Sequence, residues 1–265
     1  MPVSSDFRRI VWRHWRAHGR HDLPWRKTRD PYKILVSEVM LQQTQVDRVI
    51  PFYINFIKRF PTARRLAAAP LSAVLAAWQG LGYNRRAKLL QEASQELVPM
   101  RLSDTRSNLV KELEELPGVG PYTARAVAAF AYNQDVVFIE TNIRTAVTHH
   151  FFSNKKQVSD KEIEKVLQSV LPKGRARDWY GALMDYGAHL KRSGVKLNAR
   201  SKHYARQSKF EGSLRQVRGA ILKALTANKS LTSTKKKYPE RFELALAALA
   251  KDGLIKKKGR GWRIA

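Results

Sequence analysis

Apolar residues recur at helical spacing along residues 7–15, 34–46, 66–78, 87–97, 109–116, 122–132, 163–171 and 179–190, so each stretch predicts an α-helix with a buried face. Between them stand Pro24, Pro31, Pro61, Pro70, Gly80-Leu81-Gly82, Pro117-Gly118-Val119-Gly120 and Pro172-Lys173-Gly174, where helices should stop or start. Almost no segment before residue 250 alternates with period two. The body of the chain is therefore expected to be all-α.

The periodic pattern lapses over residues 191–211, which hold seven Lys or Arg against the single Glu211 and read as a basic connector. It returns in two stripes, Leu214, Val217, Ile221, Leu222 and Leu225, then Phe242, Ala245, Leu246 and Leu249, which need a second small core. The chain closes on Leu254-Ile255, a basic run from Lys256 to Gly261, and Trp262-Arg263-Ile264, the pattern of a short β-hairpin with a glycine-rich tip. Helices followed by a basic hairpin predict a winged-helix-like module over 212–265, with Lys257 and Arg260 on a wing that faces DNA. A plain terminal hairpin with solvated lysines is the other reading. Those residues carry 14 basic and 3 acidic side chains.

Charge changes the picture from fold to partner. The 265 residues include 50 Lys plus Arg against 22 Asp plus Glu, a formal charge of +28. Nucleic acid accounts for this excess most simply, because each cation placed on a phosphate releases condensed counterions and adds affinity without reading sequence. There is no cysteine, so no disulfide, thiolate zinc site or cysteine-ligated iron–sulfur cluster can form. The first residues lack the apolar run of a secretory signal, and no stretch has the apolar length of a membrane helix. The expected location is the cytoplasm, with the nucleoid, or otherwise inside the cell with DNA.

The sharpest local signal is Leu116-Pro117-Gly118-Val119-Gly120-Pro121-Tyr122-Thr123-Ala124, between an acidic helix and an apolar one. It has the form of a helix-hairpin-helix. Gly118 and Gly120 can take the positive φ of a tight turn and let the backbone approach a ligand, while the following helix offers unpaired N–H groups and the positive end of its dipole to a phosphate.

With this hairpin the chain resembles the helix-hairpin-helix DNA glycosylase superfamily, and within it the MutY-type adenine glycosylases, over residues 7–190. The likeness rests on Leu23-Pro24-Trp25-Arg26, Pro31-Tyr32, the run from Ile34 through Glu38, Gln42, Gln43 and Thr44 to Val46, Trp78-Gln79-Gly80-Leu81-Gly82-Tyr83, the hairpin, and Trp179 to Ala188. It implies a two-lobed glycosylase fold: a six-helix barrel over 28–136, a second helical lobe from 1–27 plus 137–210, and the small module at 212–265.

The resemblance also implies chemistry. Glu38 is the general acid that protonates the leaving base, a role in which partial burial must hold the proton near neutral pH. Superfamily members that attack pyrimidines generally lack a carboxylate there, so Glu38 points to a purine. A second carboxylate, with a following Asn142, faces the sugar as it gains oxocarbenium character. Here the sequence departs from the family, since Glu140 stands where Asp is usual, and one methylene moves the carboxylate by about an ångström. Members that also nick the backbone carry a lysine at position 122; Tyr122 cannot form a Schiff base, which predicts a glycosylase without lyase activity. Base extrusion needs wedges, and the resemblance supplies Gln42, Gln43 and Thr44 on one side and Tyr83 on the other, with Arg26 as a base or phosphate contact.

The positions that fall at the family's cluster-cysteine spacing are Lys191, Asn198, Ser201 and Gln207, within the loop 191–207. No cofactor and no metal are expected, and Lys191 and Arg192, with Lys196, Arg200 and Lys202, can hold phosphates instead. The adjacent His149 and His150 point apart on a helix and do not make a metal site. The expected partner is double-stranded DNA containing a mismatch or damaged base, bound by a monomer at no membrane. Adenine opposite guanine or 8-oxoguanine is the first substrate. A deaminated or mismatched base (hypoxanthine, uracil or thymine) and a non-catalytic DNA binder remain open.

Overall fold

The structure, a computed structural model, describes residues 4–98, 108–195, 197, 209–259 and 261–265. Asn198, Ser201, Gln207, Lys196, Arg200, Lys202 and Arg260 lie outside them. Among the described residues there are fourteen α-helices, a single 3-10 turn at Pro24–Arg26 and one two-stranded sheet. The fold is all-α, and no described helix is long and apolar enough to cross a membrane.

The chain divides into two compact units. One gathers described residues 4–35, 108–114, 119–195 and 197. It contains α1 (Ser4–His18), α8 (Pro121–Tyr132), α9 (Thr141–Phe151), α10 (Asp160–Val170) and α11 (Ala176–Arg192). Helix α11 is central, packing on α1, α8 and α9. Phe7, Val11, Ile143, Val147, Ile163, Leu167, Trp179, Tyr180 and Leu183 form its buried core. Each large apolar side chain so enclosed stabilises the fold by roughly 1.5–3 kcal/mol, which is what holds a chain of this charge folded.

Local chemistry sets the helix ends. Ser159 and Glu162 form a reciprocal capping box at the start of α10. Helix α8 starts with proline at its first position and ends at Asn133, whose φ of 53° breaks the helical run.

The other unit gathers described residues 36–98, 115–118, 209–259 and 261–265. It holds α3 (Val46–Arg59), α4 (Ala63–Ala67), α5 (Leu71–Trp78) and α6 (Arg85–Leu97), together with α12 (Leu214–Thr226), α13 (Thr232–Lys237) and α14 (Pro239–Lys251). Strands β1 (Ile255–Lys258) and β2 (Gly261–Ile264) follow, antiparallel, with Ile255 opposite Ile264 and Lys257 opposite Trp262. Val217, Ile221, Leu222, Phe242, Ala245, Leu246, Leu249 and Leu254 are buried, so both predicted apolar stripes turn inward. The terminal helices also pack beyond themselves, because α12 lies against α5.

Two helices run from one unit into the other. Helix α2 (Pro31–Leu41) passes between them at Leu35 and Val36, and α7 (Leu109–Glu115) at its last residue. All of Ile34 to Met40 is buried, and a helix covered on every side has no polar face to show in its sequence.

Candidate active site

Glu38 sits in α2 at 6% exposure, a carboxyl group within the buried run from Ile34 to Met40, in which Ser37 is the other polar residue. A carboxyl group buried in this way needs partners or a proton. Just beyond, the helix ends in the turn Gln42-Gln43-Thr44. Gln43 is exposed with φ 55°, and the Thr44 hydroxyl donates to the Gln42 carbonyl at 3.2 Å.

The carbonyls that the end of a helix leaves unpaired are met here by one cation. Arg86 Nη1 donates to the carbonyl of Val39 at 2.6 Å, Met40 at 3.3 Å and Gln42 at 2.7 Å, and Nη2 donates to Gly82 at 3.3 Å. Burial lowers the Arg86 guanidinium to about 10, with Tyr83 opposing the shift. The Gly82 carbonyl also accepts from the Trp78 indole at 3.2 Å.

The next residue, Tyr83, has φ 47°, so both proposed wedge turns contain a non-glycine residue in the left-handed region. Arg86 was missed in the sequence because nothing separates it there from the adjacent Arg85. The signal was its place four residues after Gly82, one helical turn from the strained loop.

In the hairpin only Gly118 has the left-handed backbone, at φ 75°, and a Cβ there would stand 2.8 Å from Leu89 Cβ. Glycine is thus required at this position twice over. Gly120 departs from expectation: its φ is −92°, it precedes α8 as the N-cap, and a Cβ would meet nothing within 4 Å. Its use lies in what it lacks. With no side chain of its own it adds no cap to the first turn of α8, and the start of a helix is where a phosphate can approach the backbone and the positive end of the dipole. Val119 turns its side chain inward, and Tyr122 packs edge-on to Phe138 at 5.7 Å between ring centroids.

Glu140 is the N-cap of α9. Its Oε2 accepts from the Asn142 backbone N–H at 2.7 Å, and Oε1 accepts from the Asn142 side-chain amide at 3.2 Å and from the Thr141 hydroxyl. The carboxylate thereby sits at the positive end of the helix dipole. The longer side chain remains engaged with the first turn of α9, and Asn142 holds it from both backbone and side chain.

Lys191 is close enough to feel that charge: burial pushes its ammonium below the ordinary lysine range, with Glu140 pulling the other way. An iron–sulfur cluster of the family's type requires thiolates. The chain offers none, and a half-buried ammonium at the first ligand position does not fit one. Arg192 is exposed, as is Lys257, whose ammonium lies 5.8 Å from the Trp262 ring.

Arg26, expected as a base or phosphate contact, makes a set of contacts within the protein. Its guanidinium grips the buried Asp185 with both arms, Nη1 at 2.6 Å and Nη2 at 3.0 Å, donates to the Gly181 carbonyl at 3.2 Å, and lies over the Trp15 ring. Arg20 completes the cluster through its backbone N–H at 2.7 Å and Nε at 2.6 Å. Burial works against the charge on Asp185, but the hydrogen bonds and charge of Arg26, then of Arg20, prevail and hold the carboxyl below its usual range. Such a fork-to-carboxylate arrangement ties the start of the chain to α11. His150 shares a hydrogen bond with the Tyr186 hydroxyl at 2.7 Å, and no group of three or more metal-ligating side chains is found among the described residues.

Comparison with known proteins gives these positions a context. Residues 36–173 match the HhH-GPD superfamily of base excision DNA repair proteins. The chain is 36% identical over 93% of its length to an adenine DNA glycosylase of Mycolicibacterium smegmatis, spanning 92% of that protein. It is 44% identical over 54% of its length to an adenine DNA glycosylase of Mycobacterium tuberculosis, of which the match spans 46%. Among solved structures, a thermostable thymine-DNA glycosylase aligns with a TM-score of 0.63 at 25% identity, over 76% of this chain and 96% of that one. A superfamily match that runs through the hairpin, and a relative aligned almost end to end, lead to one conclusion: the chain belongs to the HhH-GPD superfamily of base excision DNA repair proteins.

Proposed function

We propose that the protein is a monofunctional DNA glycosylase that removes adenine opposite guanine or 8-oxoguanine. The observation that carries this reading is Glu38, a buried carboxyl group in the matched region of a chain aligned over 93% of its length with an adenine DNA glycosylase.

In the proposed reaction the base is turned out of the stack, with Gln42, Gln43, Thr44 and Tyr83 entering the gap. Glu38 gives its proton to the adenine ring as the bond from the sugar C1′ to the base breaks, and the bonding pair leaves with the base. The Glu140 carboxylate, fixed by Asn142, faces the sugar cation that forms. Water then adds at C1′ and loses a proton, leaving free adenine and an abasic site. Tyr122 packs against Phe138 and has no amine with which to attack the sugar, so the reaction stops at hydrolysis.

Affinity is assigned to the positive end of the α8 dipole, the Gly118 turn, Arg192 and the basic hairpin with Lys257. None of these reads sequence.

The thymine-DNA glycosylase alignment favours a second reading, excision of a mismatched or deaminated base. One experiment separates the two. The protein is incubated in excess with labelled duplexes, each bearing one mismatch or damaged base, and alkali is added to cut abasic sites. Cleavage of the adenine strand in A·G and A·8-oxoG duplexes, absent without alkali, is the expected result. Cleavage confined to thymine, uracil or hypoxanthine would replace the proposal with the second reading.

A further inference from the structure

The C-terminal helices do more than carry charge. Arg215 of α12 donates from Nη1 to the Tyr83 hydroxyl at 2.7 Å, and its guanidinium carbon lies 5.3 Å from the centre of the same ring. Arg86 lies 5.5 Å from that ring, so Tyr83 is held by two guanidinium groups, one from its own helix neighbourhood and one from the C-terminal module.

The contact belongs to a longer seam. The Gln79 side chain donates to the Thr226 hydroxyl at the other end of α12. Asp252 accepts from Arg218 and lies 3.9 Å from Arg85. The segment from Gln79 to Arg85 is therefore gripped at its start, at Tyr83 and at its end by residues of the C-terminal module.

Tyr83 is also the one non-glycine residue between Gln79 and Arg85 with a positive φ. A tyrosine at φ 47° occupies a backbone region that non-glycine residues keep only when their surroundings over-determine it. Its hydroxyl and ring face are the two handles through which Arg215 acts.

We propose that Arg215 is a positioning residue for Tyr83: the C-terminal module sets the geometry of the base-extruding wedge and does not merely add phosphate contacts. This rests on the reading of Tyr83 as a wedge, but not on which base is excised. A phosphate ligand would act through affinity and would be overcome by excess protein. A positioning residue would act on the bound complex and would not.

The test uses the full chain and a duplex carrying 2-aminopurine beside the target base, whose fluorescence rises on unstacking. Three readouts are taken: unstacking at saturating protein, single-turnover base release, and duplex affinity. Arg215→Ala is expected to reduce unstacking and release about tenfold at saturation, within the coupling range for residues in direct contact. Affinity should change less than about threefold, the loss of at most one surface cation. Tyr83→Phe, which removes only the hydroxyl, should lose part of the same signal, and Arg215→Ala should cost much less in that background. Arg215→Lys, which keeps a donor, should recover part of it.

If Arg215→Ala unstacks and releases as wild type at saturation and loses only affinity, Arg215 is a phosphate ligand and the proposal falls. If Tyr83→Phe matches wild type and the two effects add, the contact does not position the wedge. If wild type releases no base from any duplex yet unstacks 2-aminopurine in an Arg215-dependent way, the proposed activity fails and this inference stands. Wild type that unstacks nothing overturns it.

Discussion

A Cβ added to Gly187 would stand 1.9 Å from the carbonyl oxygen of Asn142, so α11 meets the first turn of α9 backbone to backbone. This contact seats the turn that carries Glu140. Gly187→Ala should be among the most damaging single-methyl additions in the chain, costing at least about 3 kcal/mol, because the obstacle is main chain and cannot rotate away. The thermal midpoint should fall by roughly 6–12 °C. A midpoint within 2 °C of wild type would mean that α9 can move at little cost.

Asp185 offers a different kind of test. It is 2% exposed and faces two guanidinium groups, so Asp185→Asn leaves Arg20 and Arg26 unbalanced and should destabilise by about 3–5 kcal/mol, the usual cost of breaking a buried pair from one side. The sign with pH follows from a carboxyl held below its ordinary value. The stabilisation is present above the unfolded value and is lost as pH falls through the folded one. Denaturant titrations at several acidic pH values should show a flatter profile for the variant.

His150 predicts a pH effect of its own. Burial, then the charge of His149, takes it from 6.5 down to about 4. The folded state prefers the neutral ring, so its contribution is whole above pH 6.5, erodes as pH drops toward about 4, and is constant below that. His150→Gln should remove this part of the slope in a thermal-midpoint series from pH 7 to pH 4. An unchanged slope would assign the acid sensitivity to other groups.

The two proposed catalytic carboxylates should fail differently from any of these. Glu38→Gln keeps size and hydrogen-bonding capacity but has no acidic proton, so adenine release should fall by 10² to about 10⁴-fold with duplex binding retained. Glu140→Gln removes the anion opposite the sugar cation and should cost as much or more. Glu140→Asp should keep partial activity, since the pocket holds the longer side chain through Asn142. Single-turnover rates at saturating protein decide the matter. Two Gln variants as fast as wild type would show the assignment to be wrong.

The helices were legible in the chain because their apolar residues repeat at helical spacing, and the terminal hairpin because Ile255 and Trp262 flank a basic, glycine-rich tip. Which helices cluster was not legible: α8 groups with α9 to α11, while α12 lies on α5, and an apolar stripe does not say what it will meet. Glycines misled in one respect, because Gly118 and Gly120 look alike in sequence although only Gly118 has a positive φ. Arginines hid the most. Arg26, Arg86 and Arg215 are ordinary members of a set of basic residues in the sequence, and only in the folded chain does one lock onto Asp185, one close the end of α2 and one rest on Tyr83. A motif marks where a charge is, whereas its role depends on the carbonyls and rings that happen to surround it.

Arg86 joins two turns that are forty residues apart in the chain, each with a left-handed residue, Gln43 and Tyr83, beside a carbonyl it holds. The cost of keeping both turns in an unfavourable backbone shape is met once, on folding, by a single half-buried cation. On the proposed reading, DNA then meets a pair of wedges already set to one spacing, and little conformational freedom is left to lose at the moment of binding. A defect in either turn should consequently be felt at the other, so that the two sides of the opened base stack respond as one rigid tool.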